Sequence, residues 1–298
     1  MNYDARHSFA GTRDCQGAGR LIAGSAMQTD DVQQAGPQAP ADGDEPGDRQ
    51  FVTALARGLE VLACFRARDR SLGNQDIARR CGLPKSTVSR LTHTLTRLGY
   101  LSQDCESGRY RLGSATLALG SSVLANMDMR QLARPLMQEL ADSTGTMVSL
   151  GVRDRLSMIY VENCRSPSAL TLSLDVGSRI PLGSTAMGRA WLAVAPPRER
   201  EPLLAELAAQ HGPNWGAQQS AIERALQQYR ELGCACSFGD WQPDVNAIAV
   251  GIDPGHGMPR MAINCGGPAF QLSPQFLLEQ ARPRLLDMVR RLQQSARD

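Results

Sequence analysis

The stretch between residues 74 and 112 constrains the fold most, because two helical patterns and a hairpin pattern follow one another there with very short connections. The first helical pattern covers Asn74–Cys81, and Gly82 with Leu83 makes the turn after it. The second runs from Pro84 to Leu98, with proline in the first turn, where its missing amide hydrogen would have no partner. Gly99 ends this helix. The two helices and their turn predict a helix-turn-helix.

The elements on either side complete a larger unit. Apolar residues at helical spacing run from Phe51 to Phe65 and predict a preceding helix. After Gly99, residues 100–101 and 110–112 flank the polar turn 104–108, which is the pattern of a β-hairpin. The order helix, helix, turn, helix, hairpin predicts a winged helix-turn-helix over residues 51–113.

Charge is distributed unevenly along the 298 residues. Residues 51–112 hold eleven basic and five acidic side chains, a net charge of +6, whereas residues 1–50 have a net charge of −4 and residues 113–298 are neutral. A basic segment joined to a neutral one is typical of a nucleic-acid-binding module fused to a partner that does not bind nucleic acid. On charge alone, a solvated basic face is an equal alternative.

The helical pattern from Pro84 to Leu98 carries the candidate DNA contacts. Its apolar residues Val88, Leu91, Leu95 and Leu98 recur at helical spacing and predict one buried stripe. The opposite face offers hydroxyl and guanidinium donors and no acid, which suits base edges and phosphates in the major groove. With the only lysine of the chain and two arginines of the predicted wing, the candidates are Lys85, Ser86, Thr87, Ser89, Arg90, His93, Arg97, Arg109 and Arg111. An amphipathic surface that contacts only solvent is the alternative.

Beyond residue 113 the patterns predict a linker helix over residues 114–128 and a mixed domain over residues 129–298. Helical patterns cover about 129–143, 184–194, 198–209, 218–232 and 275–294, and strand patterns cover about 146–152, 157–162, 169–174, 234–238, 245–252 and 260–265. A sheet flanked by helices predicts an α+β sensor domain. Residues 1–50, rich in Gly, Ala, Gln, Asp and Pro, lack such periodicity and predict a disordered tail.

Several classes of protein fit the sequence less well. The eight cysteines and four histidines show neither a CxxC pair nor metal-ligand spacing, so we expect reduced thiols and no metal or other cofactor. Without a signal-peptide stretch or a run of about 18 apolar residues, we expect a cytoplasmic protein with no membrane partner.

An enzyme with a DNA-binding appendage is a rival hypothesis, although no GxSxG, HExxH, GxxxxGK[ST] or GxGxxG motif occurs. Cys234 and Cys236 leave a redox sensor as a second rival, although they equally fit the buried face of a strand.

Four motifs, in the same order along the chain, make it similar to a known family. They are LPKSTVSRL at 83–91 with LGYL at 98–101 and YRLG at 110–113, IPLGSTAMGRA at 180–190, VNAIAV at 245–250 and INCGGP at 263–268. In these motifs, over roughly residues 51–295, the chain resembles the IclR family of bacterial transcription regulators. The resemblance implies a winged helix-turn-helix, a linker helix and a GAF-like effector-binding domain. It also implies a homodimer or dimer of dimers that binds double-stranded operator DNA and a small-molecule effector.

The resemblance further implies an effector pocket. Carried over position by position, its candidate residues are Ser184, Thr185, Ala186, Met187, Asp240, Asn246, Ala247, Asn264 and Gly266. From the residues alone, Ser184 and Thr185 precede a helix whose first amides either receive a carboxylate or are only capped. Asn264 lies on an apolar strand and needs a polar partner, which a ligand or the backbone could supply.

Two departures from the family pattern affect the expected pocket. Gly183 stands where many family members have a bulkier residue, and Gly266 lacks the hydroxyl that some carboxylate-binding relatives have there, which predicts a roomier pocket on one side. We expect the effector to be a small organic acid and the regulated genes to form a neighbouring catabolic operon.

Overall fold

The computed structural model describes residues 50–66, 69–167, 174–255 and 258–296. The predicted tail over residues 1–50 therefore lies, except for Gln50, outside the described residues. The same holds for the predicted strand at 169–174, of which only Leu174 is described.

The first elements form a winged helix-turn-helix, as the sequence predicts. They are helices α1 (Thr53–Ala63), α2 (Asn74–Cys81) and α3 (Lys85–Arg97) and strands β1 (Leu101–Gln103) and β2 (Tyr110–Leu112). The two strands pair antiparallel, with Leu101 opposite Leu112, and Tyr110 also bridges to Leu72 ahead of α2. Gly82 ends α2 at a φ of 65°, the left-handed conformation that glycine adopts readily.

The core of this domain takes one fully buried side chain from each helix, namely Val61, Ile77 and Val88. Each of these lies on the apolar stripe of its helix, so the three stripes meet in one cluster that Leu101 of the hairpin closes. Packing of these stripes, more than intrinsic helix propensity, holds short helices of this length together.

Two details at the ends of α3 differ from the sequence prediction. Leu98 does not belong to the buried stripe: it is 61% exposed, because the helix ends at Arg97 and Leu98 is the C-cap. Pro84 is the N-cap residue rather than the first helical residue. Val88 and Leu95 are buried as predicted, and Leu91 is partly buried.

Two helices lead from the wing into the second domain. Helix α4 (Ser114–Ala125) has no fully buried residue, and its Leu117, Leu119 and Val123 are solvent-exposed, with Leu117 at 71%. Helix α5 (Asp128–Thr144) buries an apolar face that includes Ala133, Met137 and Ala141. Leu124 packs against the core of the second domain, whereas Leu117, Leu119 and Val123 remain exposed within the described part of this chain. The apolar side chains of α5 pack against the sheet that follows.

The second domain is built on a six-stranded antiparallel sheet. Its strands are β3 (Met147–Asp154), β4 (Ser157–Arg165), β5 (Arg179–Pro181), β6 (Ala235–Phe238), β7 (Val245–Ile252) and β8 (Met261–Pro268), in the spatial order β5-β4-β3-β8-β7-β6. Strand β5 was not predicted from the sequence, because three residues are too few to show an alternating pattern. Every residue of β7 and β8 is buried, since these central strands are covered on both faces.

Helices cover both faces of this sheet. On one face α5 and α10 (Arg282–Ser295) form a core with apolar residues of β3, β7 and β8. On the other face lie α6 (Ala186–Val194), α7 (Pro197–His211) and α8 (Trp215–Leu232). The last helical region begins earlier, as the short α9 (Pro274–Phe276), and passes through a π-helical turn at Leu277–Ala281 before α10.

The start of α6 is held against the strand that precedes it by a close backbone contact. A side chain at Gly188 would collide with the carbonyl group of Leu182, so only glycine permits this approach. Helix α6 begins at Ala186, two residues later than predicted, with Thr185 as its N-cap. The first turn of α6 thus lies directly over the sheet.

Candidate DNA-binding face and effector cavity

The structure places the predicted DNA contacts of α3 on one accessible face. Lys85, Ser86, Ser89, Arg90, His93 and Arg97 are exposed, and Thr87 is half-buried. Within the described part of the chain no carboxylate pairs with Lys85, Arg90 or Arg97. These three cations therefore keep their charge available for an external anion.

One hydrogen bond within α3 satisfies a buried hydroxyl, and another joins α3 to α2. The Thr92 hydroxyl, fully buried, donates to the Val88 carbonyl oxygen at 2.9 Å. The Asn74 amide at the start of α2 donates to the Ser89 hydroxyl. Ser89 is thus tied to α2 while its neighbour Arg90 is free to extend outward.

The two wing arginines differ in their surroundings. The Arg109 guanidinium donates to the Ser71 hydroxyl at 3.0 Å, to the Ser71 carbonyl at 2.9 Å and to Asp76 at 3.2 Å. Arg111 is 62% exposed and lies 3.5 Å from Asp104 across the hairpin turn. Arg109 therefore joins the wing to α2, whereas Arg111 is the wing cation more accessible to DNA.

Asp76 is the common partner of these contacts. It accepts from the Gly73 backbone amide at 3.1 Å and pairs with Arg79 and Arg109. The Gly73 hydrogen bond, helped by the two nearby guanidinium charges, lowers the pKa of Asp76. Asp76 thus stays ionised and caps α2 at neutral pH.

A cavity lies in the second domain between the sheet and the first turn of α6. Its volume, measured as the space open to the centre of a water molecule, is about 20 Å³, so the cavity is narrow. Its wall combines sheet residues, the start of α6 and the loop after β6. Six of the nine effector candidates line it, namely Thr185, Ala186, Met187, Ala247, Asn264 and Gly266.

The other three candidates, Ser184, Asp240 and Asn246, lie outside the cavity lining. The Ser184 carbonyl accepts from the Ser237 hydroxyl at 3.0 Å. The Asn246 amide donates to the Leu272 carbonyl at 2.9 Å. These contacts give both residues a partner within the chain.

Asp240 pairs with Arg189, a buried arginine that is 3% exposed. The Arg189 guanidinium also donates to the carbonyls of Gly183 at 3.1 Å and Cys236 at 3.0 Å. A buried charge requires such compensation by a partner and by hydrogen bonds. Arg189 therefore fastens α6 to β6, and its charge is already neutralised by Asp240.

Thr185 acts as a helix cap at the edge of the cavity. Its hydroxyl accepts from the Gly188 amide at 3.1 Å and donates to the Pro181 carbonyl at 2.7 Å. Thr185 therefore caps α6, while the binding of a carboxylate by the first amides of this helix stays a prediction.

The expected extra room beside Gly183 is filled. A Cβ atom at Gly183 would lie 2.7 Å from Nε2 of Gln218, which projects from α8. At Gly266 a Cβ would meet Ala247 and the Asn246 carbonyl at 2.6 and 2.7 Å. Glycine at 266 thus allows β7 to approach β8 closely and does not enlarge the cavity.

Eight of the fourteen residues that line the cavity were not predicted from the sequence, Tyr160 and Trp241 among them. Tyr160 is 2% exposed, and burial raises its pKa to about 12, so the phenol stays protonated. Its hydroxyl accepts from the Asn264 amide at 3.5 Å. Tyr160 lies in an apolar strand pattern and Trp241 in a loop, and neither position has a local motif that marks it.

The cysteines of the second domain are core residues. Cys234, Cys236 and Cys265 are buried free thiols. A hydrogen bond that Cys234 donates to Cys236, together with burial, raises the pKa of Cys234, while burial raises the pKa of Cys265 to about 11. Among the described residues, no group of three His, Cys, Asp or Glu side chains is arranged to hold a metal ion. None of the described helices is long and apolar enough to cross a membrane.

A winged helix-turn-helix with an acid-free face, joined to an α+β domain with its own cavity, defines a DNA-binding transcription regulator. Comparison with known proteins identifies the family. Residues 54–104 match the IclR helix-turn-helix domain, and residues 121–295 match the bacterial transcriptional regulator IclR C-terminal domain. The chain belongs to the IclR family of transcription regulators and not to a family of enzymes.

Three relatives illustrate the similarity. The HTH-type transcriptional regulator TsaQ1/TsaQ2 of Comamonas testosteroni is 38% identical over 83% of this chain and 89% of its own length. The crystal structure of an IclR family regulator from Brucella abortus is 45% identical, with a TM-score of 0.78 over 85% of this chain and 95% of that one. An IclR homolog from Microbacterium hydrocarbonoxydans, solved with 4-hydroxybenzoate, is 26% identical, with a TM-score of 0.66 over 82% and 99% of the two chains.

Proposed function

We propose that this regulator binds an operator through α3 and that a small organic acid in the cavity changes its affinity for that operator. The proposal extends to a neighbouring catabolic operon as the target and to the cytoplasm as the place of action. It assigns DNA binding to residues 51–113, the linker to 114–128 and effector binding and assembly to 129–298. The observation that carries the DNA-binding part is the exposed face of α3 with its unpaired Lys85, Arg90 and Arg97.

Arg90 and Lys85 are the residues proposed to contact the operator directly. Both project from the exposed side or the entry of α3, while the opposite side is buried against α1 and the hairpin. If Arg90 reads a base, its replacement by alanine costs about 1–3 kcal/mol of binding free energy. The wing arginine Arg111 is proposed to contact the backbone of the DNA, since phosphates commonly receive such exposed cations.

A gel-shift titration at fixed salt tests this assignment. Arg90→Ala and Lys85→Ala should weaken operator binding, whereas Arg290→Ala should not, because Arg290 is an exposed arginine on α10 that pairs with Asp287. Unchanged affinity in both α3 variants would refute the assignment.

The effector is proposed to bind in the cavity beside the start of α6. Support comes from the six candidates that line it and from the related structure that contains 4-hydroxybenzoate, itself a small organic acid. Ligand binding is expected to change operator affinity by a coupling free energy of about 1–3 kcal/mol. Asn264→Leu should abolish the response to a ligand and leave ligand-free operator binding nearly intact. Loss of ligand-free binding as well would make Asn264 a structural residue.

The regulator is proposed to act as a homodimer or a dimer of dimers. Helix α1 exposes Leu55 and Leu59, and α4 exposes Leu119 and Val123, each more than half accessible. Apolar side chains clustered on exposed helices are typical of surfaces that a partner covers. Two winged helices would then bind an inverted repeat with half-sites about 10 bp, or a multiple of that, apart.

A further inference from the structure

Two polar atoms at the cavity have no hydrogen-bond partner although both are buried. They are Oδ1 of Asn264 and Nε1 of Trp241. Asn264 is 5% exposed, so its carbonyl oxygen does not reach bulk solvent. Buried polar atoms without partners are rare in folded proteins, and each calls for an explanation. Here both belong to residues that line the same cavity.

A chain of hydrogen bonds determines which way the Asn264 amide points. It begins at the Leu174 carbonyl oxygen, which can only accept a hydrogen bond. Nδ2 of Asn163 donates to this oxygen at 2.8 Å. Oδ1 of Asn163 therefore accepts the Ser149 hydroxyl at 2.9 Å. Ser149 and Asn264 both act to lower the pKa of Tyr160, against the larger opposing effect of burial. Tyr160 in turn accepts from Nδ2 of Asn264 at 3.5 Å.

This chain leaves the carbonyl oxygen of Asn264, and not its amide nitrogen, without a partner in the cavity. A carbonyl oxygen accepts hydrogen bonds and an indole N–H donates them, so the two open atoms require opposite groups from a ligand. Asn264 requires an O–H or N–H donor, and Trp241 requires an acceptor.

Charge limits the class of ligand further. The lining residues, all in the described part of the chain, include no lysine, arginine or histidine. Behind the start of α6, the guanidinium of Arg189 is neutralised by Asp240. An acidic group in the cavity would therefore be held by neutral donors, of which the Trp241 indole is one.

We infer that the effector is a small hydroxy acid whose hydroxyl group donates a hydrogen bond to Oδ1 of Asn264 and whose acid group accepts one from Nε1 of Trp241. Tyr160 is a positioning residue that holds the Asn264 amide in the accepting orientation. The inference rests on the effector cavity proposed above. It adds which polar groups the ligand carries, a hydroxyl donor and an acceptor group.

The test uses the full-length protein and a panel of matched compounds in isothermal titration calorimetry. The panel pairs lactate with 2-methoxypropionate and the three monohydroxybenzoates with the three methoxybenzoates. Wild-type protein should bind at least one hydroxy acid at least tenfold more tightly than its methyl ether, since the ether lacks the donor. Trp241→Phe should weaken the binding of a hydroxy acid and of its ether alike. It removes the indole N–H that donates to the acceptor group which both compounds share.

Variants of the Asn264 contacts should change the hydroxyl preference itself. Asn264→Leu should remove the difference between hydroxy acid and ether. Tyr160→Phe should reduce that difference by freeing the Asn264 amide to rotate, at a nearly unchanged melting temperature. Gln227→Ala is the control: this exposed amide side chain on α8 donates to Glu231, does not line the cavity, and its loss should leave the preference unchanged.

The outcomes separate this inference from the proposed function. Equal binding of hydroxy acid and ether, a preference unaltered in Asn264→Leu, or no binding of any panel member overturns the inference. Ligand-free operator binding, measured on the same preparations, tests the regulator function independently of any effector. If Asn264→Leu does not fold, the Trp241→Phe variant decides the question. Trp241 lies in a partly exposed loop, so this variant should fold. Binding of hydroxy acids by Trp241→Phe with unchanged affinity overturns the inference.

Discussion

At the scale of single residues, neighbouring arginines of one strand serve different purposes. Arg109 makes three hydrogen bonds to Ser71 and Asp76, and Arg111 extends into solvent beside Asp104. Hydrogen bonds to a charged group contribute more to stability than those between neutral groups, although exposure to solvent reduces the gain. Arg109 thus supports the winged helix itself, and Arg111 is available for a phosphate.

The first prediction separates these two roles. Arg109→Ala should lower the melting temperature by a few degrees, measured by circular dichroism, whereas Arg111→Ala should leave the melting temperature unchanged and weaken operator binding. Because the pKa of Asp76 is lowered in the folded state, its contribution is complete above its ordinary value of 3.8. That contribution disappears as the pH falls through the lower folded value, so the Arg109→Ala difference should shrink in acid. Equal melting temperatures of the two variants at pH 7 would contradict this account.

Single residues also show what the sequence could not reveal. The polar face of α3 was predictable, because helical spacing alone separates Val88 and Leu95 from Ser89 and Arg90. The cavity was predictable only through family resemblance. Tyr160 and Trp241 reach it by strand pairing and loop placement, which depend on contacts between distant parts of the chain.

At the scale of elements, the first turn of α6 positions one wall of the cavity. Gly188 allows the turn to lie against Leu182, and Thr185 satisfies the amide of Gly188. Helix periodicity predicted α6, but not that it begins at Ala186. The position of its first residue depends on the cap and on close packing, which no apolar pattern records.

The second prediction concerns this packing. Gly188→Ala should destabilise the protein by about 1–3 kcal/mol, the usual cost of overpacking a core, because the new Cβ collides with the Leu182 carbonyl. Gly216→Ala in α8 is the control, since nothing lies within 4 Å of a Cβ there and alanine favours the helix. Urea unfolding measures both. A stability of Gly188→Ala equal to that of the control would mean that α6 does not approach the strand this closely.

At the scale of the whole molecule, exposed apolar helices bear on assembly. Helix α4 has no fully buried residue in the described chain, although seven of its 12 residues are leucine, valine or alanine, whose burial would stabilise it. An isolated helix of 12 residues is only marginally stable in water. Contact with a second copy would bury these side chains.

The third prediction tests that contact. Leu119→Ser with Val123→Ser should shift the protein toward monomer and weaken operator binding, because one winged helix contacts too little DNA for strong binding. Phe270→Ser, which replaces a side chain 72% exposed in the second domain, should do neither. Light scattering over a concentration series measures the assembly. A wild-type protein that is monomeric on its operator would rule out the dimer.

The most direct test of the central claim, that α3 binds operator DNA through its unpaired cations, is the salt dependence of operator affinity. Each phosphate contact releases counterions, so the logarithm of the binding constant falls linearly with the logarithm of salt concentration. Removing a phosphate contact by Lys85→Ala should reduce the magnitude of this slope by about 1, while Arg290→Ala should leave it unchanged. Identical slopes for wild-type, Lys85→Ala and Arg90→Ala proteins, with identical affinities, would contradict the placement of the DNA on α3.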